Sequence, residues 1–119
     1  MSEAAIIHAD CDGIIRVWGG SAQSLFGYSP QDALGKTLDM LVPEPYREAH
    51  WRGFRAAVER RATSQDEPFV LPILCEDGQA RPFAGRLFFL RDAYDRAVGA
   101  MAIFVKDEPT AGSKDLYRL

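Results

Sequence analysis

The residues best suited to chemistry lie between Pro43 and Ala62, in the stretch PEPYREAHWRGFRAAVERRA, where one histidine sits among apolar residues. Tyr46, His50, Gly53, Phe54 and Ala57 recur at helical spacing and form a stripe. Glu44, Glu48, Arg52, Arg55 and Glu59 take the opposite side. A neutral imidazole on such a stripe can give one ring nitrogen to a metal or cofactor, and the other nitrogen then needs a partner. Gly53, about one turn beyond His50, costs on the order of 1 kcal/mol in a helix against alanine. A flat group lying against the helix would account for it. No catalytic set competes with this reading. There is no Ser–His–Asp arrangement, P-loop or HExxH, and no carboxylate pair facing a pocket with a second functional group. The pattern predicts a binding domain that is not an enzyme.

The flanking elements must position His50. Apolar runs at Ala4 to Ala9 and Ile14 to Trp18 enclose Asp10-Cys11-Asp12-Gly13 and read as a hairpin, with Gly19-Gly20 breaking the second strand. Ser21 reads as the cap of a short helix through Phe26 that Gly27 closes, and Ser29-Pro30 starts another that Gly35 ends. Thr37 to Leu41 is a further turn, and Pro43 and Pro45 suit the start of the longer helix. Phe69 to Cys75 is an edge strand interrupted by Pro72, and Glu76-Asp77-Gly78-Gln79 is a second hairpin turn. Arg81 to Leu90 places Phe83, Gly85, Leu87 and Phe89 on one face. Ala97 to Val105 has the small, apolar composition of a central strand. This order predicts an α+β domain over 1–106 with an antiparallel sheet, and a polar tail or linker over 107–119. His50 should point into a pocket between the long helix and the sheet.

Composition limits the function classes. The 119 residues suffice for one domain. A net charge of −3 argues against nucleic acid as partner. No apolar run reaches the roughly 20 residues of a membrane span, and the first residues do not form a secretory signal. Two cysteines without a CxxC imply neither a disulfide framework nor a zinc knuckle. A cytoplasmic location is expected.

Several short motifs then resemble the PAS sensor-domain family: Asp12-Gly13-Ile14-Ile15, Leu25-Phe26-Gly27-Tyr28-Ser29, Leu34-Gly35-Lys36, Leu41-Val42-Pro43 and Asp77-Gly78. The resemblance covers roughly residues 4 to 106 and implies a five-stranded antiparallel sheet with short helices and one longer helix on one face. Val42-Pro43-Glu44-Pro45-Tyr46-Arg47-Glu48-Ala49-His50 is most similar to the haem-binding PAS domains of rhizobial oxygen-sensor kinases. It implies that His50 is the proximal ligand of a haem b iron. Tyr46, Gly53, Phe54, Val70, Leu71, Phe83, Gly85 and Leu87 would line the cofactor site, with Tyr46 or Arg47 nearest the propionates. The Asn-Cys-Arg-Phe-type motif of flavin-based light-sensing members is missing around Cys11 and Cys75. The chain departs from the oxygen sensors on the distal side. Phe69, Val70 and Leu71 stand nearest to where those place an arginine, and Arg86 has the wrong parity to replace it. Oxygen, carbon monoxide and nitric oxide all remain candidate ligands. Alternatives are an interaction module without cofactor, and a pocket for flavin or another small molecule such as a fatty acid. The family context further implies a homodimer through the sheet or first strand. In place of the family's Asp-Ile-Thr ending stands Phe104-Val105-Lys106-Asp107, so either a signalling partner in trans or a place within a longer protein is expected.

Overall fold

The computed structural model describes residues 4–59, 69–105 and 114–115. Its spine is a sheet in the order β2-β1-β5-β4-β3-β6. The strands are β1 (Ala5–Ala9), β2 (Ile15–Gly20), β3 (Phe69–Leu74), β4 (Ala80–Arg91), β5 (Ala97–Val105) and β6 (Lys114–Asp115). The first five pair antiparallel as expected, with β5 between β1 and β4. The two-residue β6 joins β3 in parallel, within the region expected to be only a tail. Between β2 and β3 lie α1 (Ala22–Phe26), α2 (Pro30–Ala33), two 3₁₀ turns (Leu38–Leu41 and Glu44–Tyr46) and α3 (Arg47–Glu59). The expected end of the long helix, at 60–62, falls outside the described residues, as do Arg60 and Arg61.

Three hairpin turns share one device. Asp10 Oδ1 accepts the backbone N–H groups of Asp12 and Ile14, and Oδ2 accepts from Arg16 Nε at 2.9 Å. Asp77 does the same with Gln79 N–H and Arg81, and Asp92 with the N–H groups of Tyr94 and Arg96 and with Arg96 Nε. Each carboxylate mimics a backbone turn and fixes the strand that follows. In α2, Ser29 Oγ accepts from Asp32 N–H at 3.2 Å, and Pro30 occupies the first turn. Two expectations need correction. The second strand does not stop at Gly19-Gly20, because both glycines pair with β1 opposite Ile6 and Ala5. Ser21 precedes α1, but its side chain makes no capping bond.

Register separates the two sheet faces. Ala5 pairs with Phe104 and Phe104 with Gly85, while Ile7 pairs with Ala102 and Ala102 with Leu87. Phe69 lies opposite Gly85, and Leu71 opposite Phe83. These residues share the inner face, where α1 packs on β1 and β2. Phe26 is at its centre. Its ring meets Phe83 at 4.9 Å and Phe104 at 5.8 Å, both edge-on, and Phe69 meets Phe104 at 5.8 Å. Trp18 seals one side, packing on Phe26 and donating its indole N–H to Tyr28 O at 2.9 Å. As expected, this tryptophan serves packing. Burying such rings makes this cluster the main source of stability. The outer face carries Ile6, His8, Phe88, Leu90, Met101 and Ile103, all half-buried, together with exposed Val17.

Candidate functional site

The candidate site is built from α3 and the inner sheet face. The prolines do not begin α3 itself. They shape the 3₁₀ turn before it, where Tyr46 N–H donates to Pro43 O. Arg47 Nε donates to Val42 O at 3.0 Å, so this guanidinium is anchored to the backbone. Glu48 stands in the first turn, where a carboxylate complements the helix dipole. The buried side of α3 runs through Phe54 and Ala57, with His50, Trp51 and Val58 half-buried. The expected stripe is thus rotated toward Trp51. Gly53 is exposed, and a Cβ there would meet no described atom within 4 Å. Tyr46 is half-buried, and Arg52 pairs with Glu48 on the solvent side.

His50 lies among aromatic rings. Its centroid is 4.9 Å from that of Trp51, nearly perpendicular, and 6.0 Å from that of Phe54. His50 Nδ1 is buried and has no hydrogen-bond partner among the described residues. Burial pushes the imidazole pKa below its ordinary value, and the Asp39 charge opposes this. The ring is therefore biased to the neutral form, which can ligate a metal. Trp51 follows His50 on α3. It is half-buried, and its Nε1–H donates to Asp39 Oδ1 at 2.6 Å.

The sheet places the other expected residues unequally. Leu71, Phe83, Gly85 and Leu87 share the inner face, as the register above requires. Val70 pairs with Ala84 and so belongs to the outer face, a correction to its place in the site. Gly85 does not leave room for a ligand. A Cβ there would lie 2.7 Å from Ile103 O and 2.8 Å from Phe104 Cδ1, so the space is already taken by the core. Phe83 is also core, at 4% exposure. Leu71 and Leu87 pack against the core but remain half-buried, and are the sheet residues still open to an occupant. Arg86 is exposed and pairs in register with Ile103, which keeps it off the inner face.

Among the described residues, no group of three or more His, Cys, Asp or Glu could enclose a bare metal ion. A haem iron asks less of the protein, since one imidazole suffices on the proximal side. The unpartnered His50 nitrogen and the half-open leucines fit that requirement. A shallow groove lined by Tyr28, Asp32, Gly35, Lys36, Thr37, Met40 and Glu76 shares no residue with this set.

The chain belongs to the PAS-fold family, whose profile matches residues 2–106, and its described architecture is that of a sensor domain in signalling. It is 41% identical over 69 residues to sensor protein FixL of Bradyrhizobium diazoefficiens, a match covering 58% of this chain and 13% of that protein. The chain therefore spans about an eighth of the length of this curated relative. A PAS domain from Colwellia psychrerythraea is 25% identical with a TM-score of 0.71, covering 85% of this chain and 83% of that one. The PAS domain of the Cronobacter turicensis RpfR quorum-sensing receptor, solved with BDSF, has a TM-score of 0.70 at 16% identity. It covers 88% of this chain and 94% of that one, and the likeness is one of fold.

Proposed function

We propose that this PAS domain binds haem b through His50 and senses a diatomic gas. The observation that carries the reading is the buried, unpartnered Nδ1 of a half-buried histidine on the inner side of α3. The partial match to FixL supports it. Bound haem would supply an iron that His50 would hold and that can take up a gas. The chain's own residues would hold a neutral imidazole in place, offer Leu71 and Leu87 as an apolar wall, and exclude water. No described basic side chain lies beside Leu71 and Leu87 in the sheet register, where their partners are Phe83 and Ala102, and Arg81, further along the same side of β4, is held by Asp77. This favours carbon monoxide, nitric oxide or weakly held oxygen. The domain would act without catalysis of its own, signalling to a partner protein in trans. No described helix is long and apolar enough to cross a membrane, and a cytoplasmic location accords with the reading.

The test is an absorbance spectrum of the protein reconstituted with haem. A Soret band that is lost in His50→Ala is expected. A protein that takes up no haem, or keeps the same spectrum in His50→Ala, overturns the reading, and flavin bands in the isolated protein would redirect it to another occupant.

A second reading rests on a separate observation, the apolar outer face of the sheet. That face suits a second copy of the chain, as an isologous dimer in which the same patch meets itself. It is compatible with haem binding and would also serve a domain without cofactor.

A further inference from the structure

The strongest unexplained geometry is the bracing of Trp51. Its indole N–H is held by Asp39, from the 3₁₀ turn Leu38–Leu41, at 2.6 Å. The far edge of the same indole rests against Gly13, in the β1–β2 turn. A Cβ at Gly13 would fall 2.2 Å from Trp51 Cη2 and 2.3 Å from Cζ3. Trp51 also meets Phe54 edge-on, at 5.7 Å. One large ring is thus fixed from two elements besides its own helix. His50, by contrast, has no hydrogen-bond partner at Nδ1 among the described residues, and its ring contacts there are Trp51 and Phe54. An imidazole without a hydrogen bond takes its orientation from the surfaces that flank it.

We infer that Trp51, braced by Asp39 and Gly13, is the positioning residue that sets the plane of the His50 imidazole. The inference rests on the proposed role of His50 for its importance, but the geometric claim concerns this chain alone. Asp39 acts through its carbonyl-like acceptor oxygen, so an asparagine should replace it. Trp51→Phe keeps an aromatic ring beside His50 but removes the donor that anchors it.

Two measurements on the purified chain separate the claims. The first is the order of the His50 ring, from ¹³C relaxation of the imidazole in the protein without haem. A rigid ring is expected in the native chain and in Asp39→Asn. A mobile one is expected in Trp51→Phe and Asp39→Ala, with circular dichroism confirming that both variants are folded. A ring equally ordered in all four proteins, or mobile already in the native chain, overturns the inference whether or not haem binds. The second is the rate of haem transfer to an excess of apomyoglobin. Loss should be about 10-fold faster in Trp51→Phe and Asp39→Ala, as for other groups that orient a metal ligand, and unchanged in Asp39→Asn. Native-rate loss from both of those variants also overturns it. Failure of His50-dependent haem uptake would sink the proposed function and leave the ring-order result to decide the inference.

Discussion

Gly53 and Gly85 both invite the thought that a glycine makes room for a ligand, and their surroundings are opposite. Gly53 is exposed on α3, with open space where a side chain would start. Gly85 is buried against Phe104 and a backbone carbonyl. Without cofactor, Gly53→Ala should stabilise the chain by about 1 kcal/mol through helix propensity. Gly85→Ala should destabilise it by roughly 1–3 kcal/mol through overpacking. Urea unfolding of both variants checks this, and a Gly85→Ala protein as stable as the native one would contradict the packing account. Sequence spacing alone could not separate these glycines. The neighbour that needs Gly85 is Phe104, on the adjacent strand. Asp39 likewise meets Trp51 from another element, and no local pattern links them. His50 stood out as a candidate because a histidine within a helical apolar stripe is distinctive by type and period together.

At the scale of elements, the hairpins were the most legible parts, since an Asp-Gly turn between apolar runs carries its own geometry. What the turns did not announce is the arginine that closes each carboxylate. Arg81 grips Asp77 with both guanidinium nitrogens. That bond, with the Gln79 N–H, lowers the Asp77 pKa to about 2 from the ordinary 3.8. A carboxylate depressed in the folded state stabilises the fold above its ordinary pKa and loses this as pH falls through its folded one. The contribution should therefore be complete above about pH 4 and fade toward pH 2. An NMR titration of Asp77 should show its midpoint near 2 in the native chain and a return toward 3.8 in Arg81→Ala. A native midpoint near 3.8 would refute the bond. The phase of α3 was less legible. Apolar spacing put Gly53 on the buried side, and it is the docking of the indole on Gly13 that brings Trp51 there instead. Val70 and Leu71 were likewise interchangeable until pairing with β4 fixed which one faces inward.

For the whole molecule, the uneven treatment of the sheet's two faces matters most. One is filled by Phe26, Phe83, Phe104 and their neighbours, and the other leaves Ile103 and Met101 of central β5 half-buried, with no covering helix among the described residues. If a second copy covers that face, Ile103→Glu should convert a dimer to a monomer in sedimentation velocity and leave the circular dichroism spectrum unchanged. A native chain that sediments as a monomer at every concentration would remove this reading. The α+β class and the antiparallel order followed from the succession of elements, whereas the parallel β6 could not be read from two polar residues in a hydrophilic stretch.

That short strand has a consequence for self-association. A sheet edge with free N–H and C=O groups is a template on which other chains can add as strands and begin to aggregate. β6 covers the edge of β3 at Phe69 and Val70, and Pro72, further along β3, has no N–H to offer. Strand-by-strand growth at that edge is therefore blocked twice over by main-chain chemistry.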